Sequence, residues 1–213
     1  MGINITPSKE NILKRIRKAL SHTTPLPFPQ SEGNTPVFYP SVKEQEVEFA
    51  EHFTKLLGKF SYCASREEFL EQWQALVQQL NWTKVYCADE ALRETLGPAF
   101  AASCTSNDLP GCEASVTTCE ALVARTGTMV LSAAAPQGRT ASVYAPVHVC
   151  VAYTHQLVYD VKDALAAVKD KYGGKIPSFI TFATGPSRTA DIEKTLVVGV
   201  HGPKEVYCFL IEG

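Results

Sequence analysis

Residues 182–203 read FATGPSRTADIEKTLVVGVHGP, and the parsing of this stretch decides the fold. Phe179-Ile180-Thr181-Phe182 is a short apolar run stopped by Gly185-Pro186, the pattern of a buried strand ending in a turn. Ser187 or Thr189 is then placed to cap a helix whose first half carries Asp191 and Glu193, charges suited to the positive end of a helix dipole. Leu196 and Val197 supply an apolar side and Gly199 a terminator. Beyond the His201-Gly202-Pro203 turn, residues 206–211 are apolar enough for a final buried strand. Strand, turn, helix, turn and strand make a βαβ unit, which predicts a parallel sheet with ligand-binding loops at its carboxyl edge.

Upstream, the alternation of strand and helix continues. Residues 42–57 read as a helix with Phe49, Ala50, Phe53, Leu56 and Leu57 inward, and residues 60–63 as a strand. Ser65 and Glu68 have capping-box spacing ahead of Phe69, Trp73, Leu76, Val77 and Leu80, which predicts a third helical segment. Residues 84–88 suggest a strand, 90–96 a short helix stopped at Gly97-Pro98, and 107–111 a loop. Residues 117–124 read as helix, 128–132 and 147–152 as strands, and 160–172 as a helix closed by Gly173-Gly174. The expectation is an α/β domain over residues 42–213, a three-layer α/β/α Rossmann-like sandwich.

Residues 1–41 are set apart by composition. Residues 8–20 form an amphipathic helix with Ile12, Leu13, Ile16, Ala19 and Leu20 on one side, and five basic residues against one acid elsewhere. Five prolines between His22 and Pro40 then give an extended connector. The helix either packs on its own domain with a solvated basic face or docks on a partner or a second copy; attachment to a membrane surface is the third option.

The 213 residues are 45% hydrophobic and 20% charged, which suits one globular α/β domain with a sizeable core. A net charge of −2 argues against nucleic-acid binding through bulk electrostatics. No apolar run reaches the roughly 18–20 residues of a membrane span, and charges occupy the place of a signal-peptide core, so a cytoplasmic protein without membrane insertion is expected. Seven cysteines contain no Cys-x-x-Cys pair; the closest group, Cys104, Cys112 and Cys119, has spacings of eight and seven. Small buried hydrophobes in a reducing compartment explain them, and neither metal nor cofactor is expected.

Four short segments carry candidate chemistry. Thr126-Gly127-Thr128 and Gln137-Gly138-Arg139 join glycines that allow close backbone approach to an arginine able to bind a carboxylate or phosphate. Ordinary structural needs, a helix end and a surface ion pair, explain them equally well. Gly185, Ser187 and Arg188 at the expected helix start form the better anion site. His201 with Gly202 serves either as an acid or base or as a turn-fixing hydrogen bonder. His148, among valines, and His155, near a loop, read as structural. Glu120 is the other carboxylate of interest, on the helix preceding Thr126. Neither a P-loop, a Gly-x-Gly-x-x-Gly fingerprint nor a Gly-x-Ser-x-Gly elbow occurs.

GPSRTADIE followed by VVGVHGP resembles the C-terminal signature of the LUD-domain family, the lactate utilisation protein C group. A second matching block is Arg125-Thr126-Gly127-Thr128-Met129-Val130-Leu131, then Gln137-Gly138-Arg139 and Pro146-Val147-His148-Val149. Several family members carry an acid where this chain has Arg125. The resemblance covers residues 117–213 and implies the architecture shared with glucosamine-6-phosphate deaminase, ribose-5-phosphate isomerase and CoA transferases. It further implies a non-redox component of a lactate utilisation system, assisting oxidation of L-lactate to pyruvate beside iron–sulfur partner proteins. A stand-alone enzyme or binding protein for a small phosphorylated or CoA-linked metabolite is the alternative.

Overall fold

Strands that are buried along their whole length, not at alternate positions, belong in a sheet covered on both faces, and residues 148–152 and 206–211 are buried in this way. The structure, a computed structural model, describes residues 7–21, 43–190 and 196–213. The chain divides into two units, Met1–Tyr39 and Pro40–Gly213. In the first, α1 spans Pro7–Leu20. The second begins with α2 (Gln45–Lys55), β1 (Lys59–Cys63), α3 (Arg66–Gln79), β2 (Val85–Cys87), α4 (Glu90–Leu96) and α5 (Pro98–Ser103). It continues with β3 (Ala114–Thr117), β4 (Ala121–Val123), β5 (Thr128–Ser132), α6 (Ala141–Tyr144), β6 (Val147–Tyr153) and β7 (Leu157–Val158). The last elements are α7 (Val161–Lys171), β8 (Ile180–Ala183), β9 (Arg188–Ala190), β10 (Leu196–Val198) and β11 (Glu205–Ile211).

The central sheet has the order β1-β11-β6-β3-β2 and every pairing in it is parallel. At its middle lie its two longest strands, VHVCVAY in β6 and EVYCFLI in β11, each mostly apolar and buried at nearly every position. On one face lie α3, α4 and α5, which bring Phe69, Trp73, Leu92, Leu96 and Phe100 onto Val116, Val149 and Phe209. Trp73 is fully buried, and its indole N–H donates to Ser103 Oγ at 2.8 Å, so the polar end of the ring is satisfied. Ser65 caps α3 through the Glu68 amide, as its spacing predicts.

The opposite face is covered by α2 together with a second sheet of order β7-β4-β5-β8. Phe49 and Phe53 of α2 stack at 5.4 Å and join Leu122 and Met129 against Cys150, Cys208 and Leu210. Ala164 and Val168 of α7 close the outer side of that second sheet on Ala121, Val123 and Val130. All seven cysteines are buried and unbridged. Among the described residues no helix is long and apolar enough to cross a membrane.

Three expectations need correction. Residues 117–124 do not form a helix: they are the end of β3, a turn, and β4. Val116, Thr117 and Val123 are β-branched, and a short apolar run carries no period that separates helix from strand. The helix expected from Thr189 is replaced by a hairpin, with Thr189 opposite Val197 and Arg188 opposite Val198; residues 191–195, including Asp191 and Glu193, lie outside the described ones. The βαβ unit therefore dissolves: β8 pairs antiparallel with β5 in the second sheet, while β11 lies in the central one. Nor is the 179–182 run buried, since Phe179 and Phe182 are 42% and 43% exposed at the edge of that sheet.

Candidate functional site

A chain of threonine hydroxyls connects the two conspicuous glycine segments. Thr126 and Thr128 lie 2.7 Å apart through their Oγ1 atoms, and Thr128 reaches Thr184 Oγ1 at 2.8 Å. Gly127 ends the 3₁₀ turn Ala124–Thr126 with φ +60°, and a Cβ there would overlap the backbone of Phe53. Gly185 has φ +77°, and a Cβ would overlap the carbonyl oxygen of Leu56. Close backbone approach does occur at both positions, and what approaches is the end of α2.

Beside Gly185 is a cleft of about 280 Å³. Ser142 and Val143 of α6, Thr184–Ser187, His201–Pro203, and His148 and Val206 from the starts of β6 and β11 line it. Ser187 holds its walls together: its amide donates to Pro203 O at 3.0 Å, and its carbonyl accepts from the Gly199 amide at 2.9 Å. Gly202 packs directly on the Ser187 side chain. At the floor, His148 is 1% exposed and shares a 2.8 Å hydrogen bond between Nε2 and Thr117 Oγ1. Burial lowers its pKa to about 4, so the imidazole is neutral at neutral pH.

The described lining includes hydroxyls, two imidazoles and backbone groups but no carboxylate. A small anion would meet hydrogen-bond donors there and no fixed negative charge. A neighbouring cavity of about 580 Å³ shares Val143, His201 and Gly202 and adds Tyr144, Val200 and Lys204.

The structure brings together Gly185, Ser187, His201 and Gly202 of the expected site, with Thr128 one hydrogen bond behind Thr184. It does not add the arginines to the walls. Arg139 donates to Ser178 Oγ at 2.7 Å and lies 5.5 Å from the Phe179 ring centre, and Gly138 is its turn neighbour with φ +62°. Arg188 is an exposed residue of β9, and with no helix starting there the amide cradle expected beside it is lost. The cleft also sits at the amino ends of β6 and β11, not at the carboxyl edge.

Glu120, expected on a helix, is in the β3–β4 turn. It accepts hydrogen bonds from Lys171 Nζ at 2.7 Å, Tyr172 OH at 2.8 Å and Ser132 Oγ at 2.5 Å. Burial alone would raise its pKa, but these three donors outweigh burial and hold it below the ordinary value. It is a tie between α7 and the second sheet. His155 is exposed and stacks on Tyr153. Sequence reasoning missed Ser142 and Thr184 and treated His148 as structural alone; Thr184 and His148 do lie inside the two conspicuous sequence blocks. Among the described residues, no group of three potential ligands could hold a metal.

Comparison with known proteins places this geometry in context. The sequence model of the LUD domain matches residues 89–211. The chain is 38% identical over 99 residues to a lactate utilization protein C of Bacillus licheniformis, covering 46% of this chain and 41% of that protein. A protein of the same name from Deinococcus radiodurans is 34% identical over 105 residues, 49% of each chain. The matches thus span about two fifths to one half of these relatives' lengths. Among solved structures, a DUF162 family protein from Deinococcus radiodurans superposes with a TM-score of 0.56 at 19% identity, covering 78% of this chain and 96% of that one. That likeness concerns the fold.

Proposed function

The chain belongs to the LUD-domain family, and on that premise we propose that it is a cytoplasmic, non-redox component of a lactate utilisation system. In this reading the cleft beside Ser187 holds a small carboxylate of the lactate–pyruvate type. Oxidation of L-lactate to pyruvate removes two electrons and two protons, and the electrons pass to iron–sulfur partner proteins. What supports the assignment is relatives named lactate utilization protein C, together with a LUD-domain match over residues 89–211, a range that contains the residues lining the cleft. The observation that supports the ligand class is the lining: about 280 Å³, mostly apolar, with four hydroxyl side chains and two imidazoles among it and no carboxylate among the described residues.

In this reading Ser142 and Ser187 supply hydroxyl donors from the lining. His148, neutral and tied to Thr117, offers a hydrogen bond from the floor without adding charge. His201 is exposed and lines both cavities, where its ring can hydrogen-bond a ligand in either.

Deletion of the gene from its native cell should abolish growth on L-lactate as sole carbon source and preserve growth on pyruvate. Affinity capture from lactate-grown cells should recover iron–sulfur proteins. Normal growth of the deletion strain on L-lactate would refute the assignment. The joined cavities, with Lys204 in the second, favour one other reading: a longer phosphorylated or CoA-linked metabolite. Tight binding of such a compound by the isolated protein, with weak binding of pyruvate and lactate, would select it.

A further inference from the structure

Among the described residues that line the cleft, His148 is the buried polar side chain, and the direction of its hydrogen bonds follows from its neighbours. Strand register sets His148 of β6 opposite Ser115 of β3, so Ser115 and Thr117 share its face of the sheet. The Ser115 hydroxyl is already committed, donating to the carbonyl of Ala141 at 2.5 Å. Thr117 is fully buried, and its hydroxyl has one partner among the described residues, His148 Nε2 at 2.8 Å.

The Thr117 hydroxyl has one proton to place. If Nε2 carried the ring proton and donated to Thr117, the hydroxyl proton would be sealed in the core with no acceptor. Donation from Thr117 to Nε2 satisfies both groups. The imidazole is neutral at neutral pH, so with Nε2 accepting, its single ring proton sits on Nδ1. Nδ1 itself has no partner among the described residues. The partnerless side-chain atoms sealed from solvent among those residues are Glu48 Oε2 and Gln137 Oε1, so the 1% of His148 that is exposed includes Nδ1.

We propose that Thr117 is a positioning residue that fixes His148 as an Nδ1–H donor to the cleft, so that the cleft selects a 2-oxo or 2-hydroxy acid over a 2-amino acid. The selectivity rests on the small-carboxylate reading of the cleft and narrows it. The charged end of such a ligand loses least hydration beside the half-buried hydroxyls of Ser142 and Ser187 and the exposed His201. That leaves the substituent on C2 for the buried floor. A keto or hydroxyl oxygen there accepts from Nδ1–H, whereas an ammonium, which only donates, meets another donor.

Proton–nitrogen correlation of the imidazole rings of the full chain tests the role of Thr117 without a ligand, the His148 signals being assigned by their loss in His148→Gln. The wild type should show a protonated Nδ1 and an unprotonated Nε2 at neutral pH; a ring protonated on Nε2 would overturn the proposal. Thr117→Val should leave the ring a mixture of the two forms, and Thr117→Ser, which restores the hydroxyl, should return it to Nδ1–H. A ring form unchanged in Thr117→Val would reduce Thr117 to a packing residue and overturn its positioning role. In titrations the wild type should bind pyruvate at least about tenfold more tightly than L-alanine, and Thr117→Val should lose most of that preference. Equal binding of the two by the wild type would overturn the selectivity. No binding of pyruvate at all would strike down the carboxylate reading, while the spectra still decide the role of Thr117.

Discussion

Gly127 shows how a residue can be conspicuous for a reason other than the one it first suggests. A glycine between two threonines reads as a backbone shaped for a ligand, yet its φ of +60° and its missing side chain serve the approach of Phe53. Gly127→Ala should therefore destabilise the fold by about 2–4 kcal/mol, from left-handed strain plus overlap with backbone that cannot rotate away. Urea denaturation checks this, and a change below about 0.5 kcal/mol would show that α2 gives way. His148 makes a prediction about pH. Its pKa is about 4 when folded, against an ordinary 6.5. Above pH 6.5 both folded and unfolded chains carry it neutral, so it contributes no pH dependence there. As pH falls toward 4 only the unfolded chain takes up the proton, and stability drops by about 3 kcal/mol across that window. His148→Gln should lose less stability than the wild type between pH 7 and pH 4.5. Equal losses would mean that the imidazole is hydrated.

At the scale of elements, what was legible in the sequence followed strong local signals. The Ser65 cap with Glu68, the Asp160 helix closed by two glycines, and the unbroken apolar run of β11 each combine a boundary residue with a consistent period. In the second sheet β5 and β8 were legible as strands but not as partners, while β4 and β7, of three and two residues, left no such trace. Runs that short fit either helix or strand, and only the packing of Leu122 and Met129 on Cys150 and Leu210 decides between them. The hairpin of β9 and β10 was hidden for a related reason: acidic residues after a glycine-proline turn mimic a helix start, while Thr189, Val197 and Val198 favour pairing. Of the ten candidate residues, Gly185, Ser187, His201 and Gly202 line one cleft, because the two turns meet whichever secondary structure lies between them; Arg188 was placed by a helix start where the structure has a strand, and Arg139 lies at Ser178 instead. α2 is the element that joins the two sheets. Phe53→Ala should cost about 3–5 kcal/mol by differential scanning calorimetry, and a loss under 1 kcal/mol would deny it that part.

The whole molecule places its cleft at an unexpected end of the sheet. Parallel sheets commonly gather ligands at their carboxyl ends, whereas here the amino ends of β6 and β11 meet Thr184–Ser187 and the His201 turn. Occupation of that cleft by a small carboxylate is measured by amide chemical-shift titration of the full chain with pyruvate, L-lactate and inorganic phosphate. Saturable shifts are expected at Gly185, Ser187, His201 and Gly202 with pyruvate or lactate, weakened in Ser187→Ala. Saturable shifts confined to other surfaces, or no shift at ligand concentrations of about 10 mM, would contradict it.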